Sequence, residues 1–240
     1  MTYQENYQKW LDFAELPAYL REELVAMDEK TKEDAFYTNL EFGTAGMRGL
    51  IGAGTNRINI YVVRQATEGL AQLIDSKGEE AKKRGVAIAY DSRHFSPEFA
   101  FESAQVLAAH GIKSYVFESL RPTPELSFAV RHLHTFAGIM VTASHNPAPF
   151  NGYKVYGEDG GQMPPADADA LTDYIRAIEN PFTVELADLE ESKANGLIEV
   201  IGENVDAEYL KEVKGVNINQ DLINEYGRDM KIVYTPLHGT

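Results

Sequence analysis

Cysteine is absent from this chain of 240 residues. That excludes disulfides, thiolate metal sites and cysteine nucleophiles. Long apolar runs are missing as well, since no segment approaches the roughly 18 apolar residues that a membrane-spanning helix needs. The opening residues Met1-Thr-Tyr-Gln-Glu-Asn6 have neither the basic nor the apolar region of a secretory signal, so a soluble cytoplasmic protein is expected. Positive charge is scarce. Lys and Arg number 22 against 37 Asp and Glu, for a formal net charge of −15. Such a surface disfavours attraction to nucleic acid or anionic membrane, and neither is an expected partner. The remaining composition, 44 % hydrophobic and 25 % charged, is that of a soluble protein with room for one large domain or one and a half.

Apolar spacing of three and four residues, with Trp10, Leu11, Leu16, Leu20, Leu24 and Val25 among the positions, predicts helices over 3–13 and 15–27 and a short third one after residue 31. Glycine density then predicts loop over 42–54. A helical pattern resumes over 60–76. Buried strands are expected at 85–91, 112–117, 137–142 and 152–156, with helices at 96–110, 124–132 and 166–179 between and after them. Ser96-Pro97-Glu98 reads as a helix start with a hydroxyl cap, proline in the first turn and an acid at the positive end. Strand–helix–strand alternation at this spacing implies an α/β fold, a three-layer α/β/α arrangement around a mainly parallel mixed sheet. The acidic, glycine-punctuated stretch 180–206 suggests a boundary. Residues 1–205 would form the first domain, with a helical lead over 1–40. Residues 206–240, a helix at 207–214 and a strand at 231–235, would be a linker and the truncated start of a second, similar domain. The strands at 86–91 and 231–235 echo each other weakly.

The chemistry concentrates in Thr-Ala-Ser-His-Asn-Pro-Ala-Pro-Phe-Asn-Gly-Tyr-Lys (142–154), which holds no carboxylate although the chain is strongly acidic. Ser144 follows a short apolar run, so it would emerge at the carboxyl end of a buried strand, where open α/β sheets bind ligands. The residues flanking Ser144 are Ala143 and His145, not the glycines of a hydrolase elbow. Neighbours on extended backbone point to opposite sides, which argues against a simple Ser144–His145 base pair. A serine that carries phosphate fits better: it wants donors and a cation nearby, and His145, Asn146 and Lys154 are to hand. The plainer alternative, a turn opened by Asn146-Pro147, stays open at this point.

Arg48 lies in the glycine stretch, where backbone N–H groups and a guanidinium could together clamp a phosphate, though a plain surface loop fits the same residues. Arg93, in Tyr-Asp-Ser-Arg-His (90–94), falls past another strand end and is either a phosphate ligand or an ion-pair partner. Asp167, Asp169 and Asp173 imitate a metal motif but open a helix after two prolines, where acids favour the dipole. His110, His132, His134 and His238 show no metal-ligand spacing.

Taken together, the phosphoserine-like loop at 142–154, Phe-Gly-Thr-Ala-Gly-Met-Arg (42–48), Tyr-Asp-Ser-Arg (90–93) and Pro-Thr-Pro (122–124) resemble the α-D-phosphohexomutases, the phosphoglucomutase and phosphomannomutase family. The helical lead with Trp10 and the wording Glu-Phe-Gly-Thr-Ala-Gly (41–46) resemble the branch of bacterial phosphoglucomutases and animal phosphopentomutases. The resemblance implies a four-domain enzyme that interconverts glucose 1-phosphate and glucose 6-phosphate through glucose 1,6-bisphosphate, with a phosphosugar as its partner molecule. It implies Ser144 as phosphoryl carrier, Lys154 and His145 as catalytic neighbours, and Arg48, Asn146 and Arg93 as phosphate-binding residues. Mg²⁺ is the implied cofactor, held here only through a phosphoryl oxygen on Ser144, its other ligands lying beyond Thr240. The resemblance also places the sugar-recognition and second phosphate loops beyond Thr240, so this chain alone is expected to have little or no mutase activity. Phosphopentomutase or phosphomannomutase activity, or a non-catalytic phosphosugar-binding module, are the alternatives. Oligomeric state is not legible in the sequence.

Overall fold

Two strands are buried along their whole length, β2 (Val86–Tyr90) and β4 (Ala137–Val141). They pair in parallel at the centre of a six-stranded sheet in a computed structural model that describes residues 2–43 and 46–235. β3 (Ser114–Phe117) and β6 (Ile198–Ile201) extend the parallel half on one side. On the other side β5 (Phe150–Tyr156) runs antiparallel to β4, and β1 (Met47–Leu50) runs antiparallel to β5. The order is β1-β5-β4-β2-β3-β6, a mixed sheet that is mainly parallel, as its apolar runs predict.

Helices cover both faces. One face carries the larger core, where α4 (Ile60–Lys77), α6 (Ser96–Ala109) and α8 (Pro165–Ala177) bury Leu70, Ile74, Leu107 and Leu171 against Ile88, Ile139 and Tyr153. The lead helices α1 (Tyr3–Asp12), α2 (Ala18–Ala26) and α3 (Glu29–Phe36) join this core, and Trp10 meets Phe36, Tyr61 and Phe182 edge-on. Between α4 and α6 lies the short α5 (Glu79–Arg84). On the opposite face, α7 (Thr123–His132) and α10 (Glu203–Gly215) pack Leu126, Val130 and Val205 against Ala87, Ala89 and Met140. The small α9 (Leu189–Ala194) precedes β6, and α11 (Gln220–Tyr226) follows α10. Among the described residues no helix is long and apolar enough to cross a membrane.

The sequence reading needs three corrections. The glycine stretch is not all loop: residues 47–50 form β1, because pairing with β5 supplies a ladder that local propensity does not. The helix expected from residue 15 begins at Ala18, after Pro17 in an extended conformation. Within the stretch 180–206, β6 joins the main sheet and α10 begins at Glu203. Residues 231–235 form no strand, and Ile232, Val233 and Tyr234 are 74 %, 98 % and 83 % exposed, so burial does not favour extended pairing there. The echo of β2 in that segment therefore has no structural counterpart. His238 lies outside the described residues.

Candidate active site at the carboxyl edge of the sheet

β2 and β4 end side by side, at Tyr90 and Val141, so Asp91 and Thr142 emerge as neighbours. Asp91 is buried. One of its oxygens, Oδ2, accepts a 2.6 Å hydrogen bond from the Thr142 hydroxyl. The other, Oδ1, accepts 3.1 Å bonds from the Ser96 hydroxyl and from the Arg93 amide. The Ser96 hydroxyl is thus not the helix cap that its position suggests. α6 starts instead from Phe95 in a left-handed conformation, φ 64°, with no side-chain cap, because Asp91 takes the hydroxyl. Asn151, fully buried on β5, donates to Ser96 Oγ at 2.9 Å and to the His94 carbonyl at 3.0 Å.

Ser144 follows in a left-handed conformation too, φ 56°. For a non-glycine residue this costs about 1–2 kcal/mol. The Ser144 amide donates to Thr142 Oγ1 at 2.9 Å. One such bond contributes about 0.5–1.5 kcal/mol, and the bond from Thr142 to a carboxylate about 1.5–3, so together they offset the strain. The Ser144 hydroxyl is part-exposed at the open edge. His145 Nδ1 lies 3.5 Å from it, at the outer limit of hydrogen bonding. Adjacent side chains point apart only on extended backbone, and the left-handed turn removes that premise.

Arg48 reaches the same loop from β1. Met47 and Val141 both face Tyr153, so β1 begins where β4 ends and carries Arg48, opposite Gly152, out beside Thr142. Arg48 Nη1 donates to Asn146 Oδ1 at 2.6 Å. Gly152 has to be glycine at this junction, since a β-carbon there would lie 2.5 Å from the Thr142 carbonyl and 2.8 Å from that of Met47. Lys154, two residues on, lies on the same face as Arg48 and is half-buried. Burial pushes its ammonium below the ordinary lysine value and the Arg48 guanidinium pushes the same way, while Asp91 opposes both.

Arg93 has other partners. Its Nη1 donates to the carbonyls of Pro147 and Phe150 at 3.0 and 2.9 Å, and its Nη2 to those of Ser144 and Asn146, both at 2.7 Å. Its Nε sits 3.4 Å from Asp91 Oδ2, an ion pair without hydrogen-bond alignment. The guanidinium is spent on the loop backbone. Asp91, Thr142, Ser96 and Asn151 are the site residues that the sequence reading did not single out. The signal was available in Tyr-Asp-Ser-Arg (90–93), where a carboxylate past a buried strand needs partners.

The edge therefore brings Arg48 of β1 and Lys154 of β5 beside a loop that is pinned from beneath and carries Ser144 and His145. The model of the phosphoglucomutase/phosphomannomutase α/β/α domain I matches residues 39–182, which spans every one of these residues. The chain belongs to that family. A Staphylococcus saprophyticus phosphoglucomutase is 42 % identical over 212 residues, 88 % of this chain and 37 % of the relative. One from Staphylococcus haemolyticus is 37 % identical over 236 residues, 98 % of this chain and 41 % of the relative. The chain thus spans well under half the length of these phosphoglucomutases. The fold is shared with a Burkholderia thailandensis phosphoglucomutase/phosphomannomutase family protein, TM-score 0.55 at 21 % identity over 75 % of this chain and 36 % of that one. It is shared also with the Paramecium phosphoprotein pp63/parafusin in its open form, TM-score 0.53 at 19 % identity over 76 % of this chain and 36 % of that one.

Phosphohexomutases generally use Mg²⁺. The described residues contain no group of three or more His, Asp or Glu that could hold a metal ion. Asp91, the carboxylate beneath Ser144, already has both oxygens occupied by Thr142, Ser96 and Arg93. Residues 2–43 and 46–235 therefore do not make a magnesium site by themselves. Asp167, Asp169 and Asp173 are exposed along α8.

Proposed function

We propose that the protein is a phosphoglucomutase whose phosphoryl carrier is Ser144. The supporting observation is a hydroxyl held in a left-handed turn at the carboxyl edge of the sheet, with Arg48 bound to the same loop and, on the adjoining strand, Lys154, whose pKa is lowered by burial and then by Arg48. Phospho-Ser144 would pass its phosphoryl group to the free hydroxyl of glucose 1-phosphate or glucose 6-phosphate. The Oγ–P bond breaks as the sugar O–P bond forms, giving glucose 1,6-bisphosphate, and the reverse transfer of the other phosphoryl group completes the isomerisation. In such chemistry the protein contributes mainly positioning and neutralisation of charge.

Lys154 is the proton-transfer or phosphate-contacting group, since a lysine pushed below its ordinary pKa gives up its proton more readily. His145 takes the second catalytic place beside the hydroxyl. Arg48 and Asn146, already hydrogen-bonded, form the phosphate-facing side. Arg93 enters this reading through the four carbonyls it holds and so shapes the phosphate loop from below. Mg²⁺ would be held in part by a phosphoryl oxygen on Ser144, where it would offset the phosphate charge. Residues 1–205 form the first domain in this reading, and the cytoplasm is the expected compartment.

The test is turnover of glucose 1-phosphate by the protein as its cells make it. Ser144→Ala should abolish turnover. Lys154→Ala should lower it by about 10²-fold or more, the usual scale for a proton-transfer group, with the fold intact by circular dichroism. Normal turnover in Ser144→Ala removes the carrier, and an unchanged rate in Lys154→Ala removes its role.

A further inference from the structure

Ser144 is one of only three non-glycine residues with positive φ among the described residues, and a second, Phe95, lies on the same edge of the sheet. Between these two left-handed turns runs a buried polar chain. Asn151 donates to Ser96, Ser96 donates to Asp91, Thr142 donates to the same carboxylate, and the Ser144 amide donates to Thr142. The direction of each bond is fixed by chemistry. A carboxylate has no proton to give, so at the 2.6 Å contact the Thr142 hydroxyl hydrogen must point at Asp91. That orientation turns the lone pairs of Thr142 Oγ1 to the Ser144 amide and fixes which way the hydroxyl rotor faces. A valine at 142 would fill the same space and do neither.

From this geometry we infer that Asp91 and Thr142 are positioning residues for phosphoryl transfer, a relay that holds Ser144 in its left-handed turn so that its hydroxyl faces out of the sheet edge. The inference rests on the reading of Ser144 as phosphoryl carrier. Neither residue touches the reacting atoms. Asp91 is buried and its oxygens are taken, so it reaches Ser144 through the Thr142 hydroxyl, with Arg93 as a second link, and reaches Lys154 only by its charge. Arg93 supplements the relay, because its Nη2 holds the carbonyl of Ser144 while Thr142 holds its amide. The Ser144 backbone is gripped at both its amide and its carbonyl, while its hydroxyl makes only the long 3.5 Å contact to His145 Nδ1.

Thr142→Val removes the relay at nearly constant volume, and Thr142→Ser keeps it. The decisive readout is local and uses the 240-residue chain. Amide hydrogen exchange at Ser144, followed by NMR, should quicken by about tenfold in Thr142→Val, the equivalent of one ordinary hydrogen bond. It should stay near the parental rate in Thr142→Ser, with the core amides of Ile88 and Leu70 unchanged in both. A second readout is phosphoryl uptake from glucose 1,6-bisphosphate, measured by intact mass on the protein as its cells make it. Uptake should slow by a similar factor in Thr142→Val and recover in Thr142→Ser. Unchanged exchange at Ser144 in Thr142→Val overturns the relay, and so does unchanged uptake when exchange has quickened. If Thr142→Val loses core protection as well, Thr142→Ala, which also lacks the hydroxyl and leaves Asp91 in place, serves instead under the same criteria. Parental protein that takes up no phosphate at all defeats the carrier reading instead, while the exchange measurement still decides the geometry.

Discussion

Arg93 shows how one side chain can take partners that its place in the sequence does not announce. Its position past β2 puts it on the functional edge, and a guanidinium there reads naturally as a ligand for phosphate. Four carbonyl oxygens at 2.7–3.0 Å take it instead. Lysine cannot reproduce that fork, having one nitrogen where arginine spreads its donors over a plane. Arg93→Lys should therefore lower the stability of the folded chain by about 2 kcal/mol, the scale for breaking a buried hydrogen-bond network. The urea-denaturation midpoint checks it, and an unchanged midpoint would mean the clamp contributes nothing. Such duties are hard to read in a sequence because they depend on which carbonyls a loop leaves unpaired. By contrast, the place of Ser144 was legible, since an apolar run ending in Thr-Ala-Ser-His-Asn-Pro (142–147) can do little except deliver that hydroxyl to a strand end. The closeness of His145 was not, because it follows from a backbone angle that no residue type in the loop demands.

At the scale of elements, buried strands announce themselves and paired ones do not. β2 and β4 are continuous apolar runs, and both were expected within a residue or two of their bounds. β1 hides in glycines and exists because β5 offers it a ladder, and that ladder carries Arg48 to the site. The segment at 231–235 has the apolar composition of a strand but no comparable burial. Helix ends give a prediction of their own. His110 closes α6 and binds Glu68 Oε2 at 3.0 Å and Asp75 Oδ2 at 2.7 Å on α4, with Lys82 of α5 against the same Asp75. The hydrogen bond to Glu68 leads in raising its pKa from 6.5 to about 9, against burial, and Asp75 adds to it. A histidine raised in the folded state stabilises fully below its unfolded value. That stabilisation is lost as pH rises through about 9. The contribution is on the order of 2 kcal/mol. Melting temperature should fall between pH 6.5 and pH 9 more steeply in the parent than in His110→Gln, and parallel profiles would contradict the assignment.

The molecule as a whole is an acidic α/β/α unit whose cationic side chains at one sheet edge stand out against a net charge of −15. That contrast would favour approach of an anionic ligand to this edge over the rest of the surface. The chain spans 37 % of the Staphylococcus saprophyticus phosphoglucomutase it matches. Everything in the functional account passes through the Ser144 hydroxyl. Phosphopeptide mapping of the protein isolated from its own cells, before and after exposure to glucose 1,6-bisphosphate, tests it most directly. The account predicts a phosphoryl group on Ser144, increased by the bisphosphate and lost when glucose 1-phosphate is supplied in excess. A protein that turns over glucose 1-phosphate with Ser144 unmodified throughout, or with the phosphate on another residue, would contradict it.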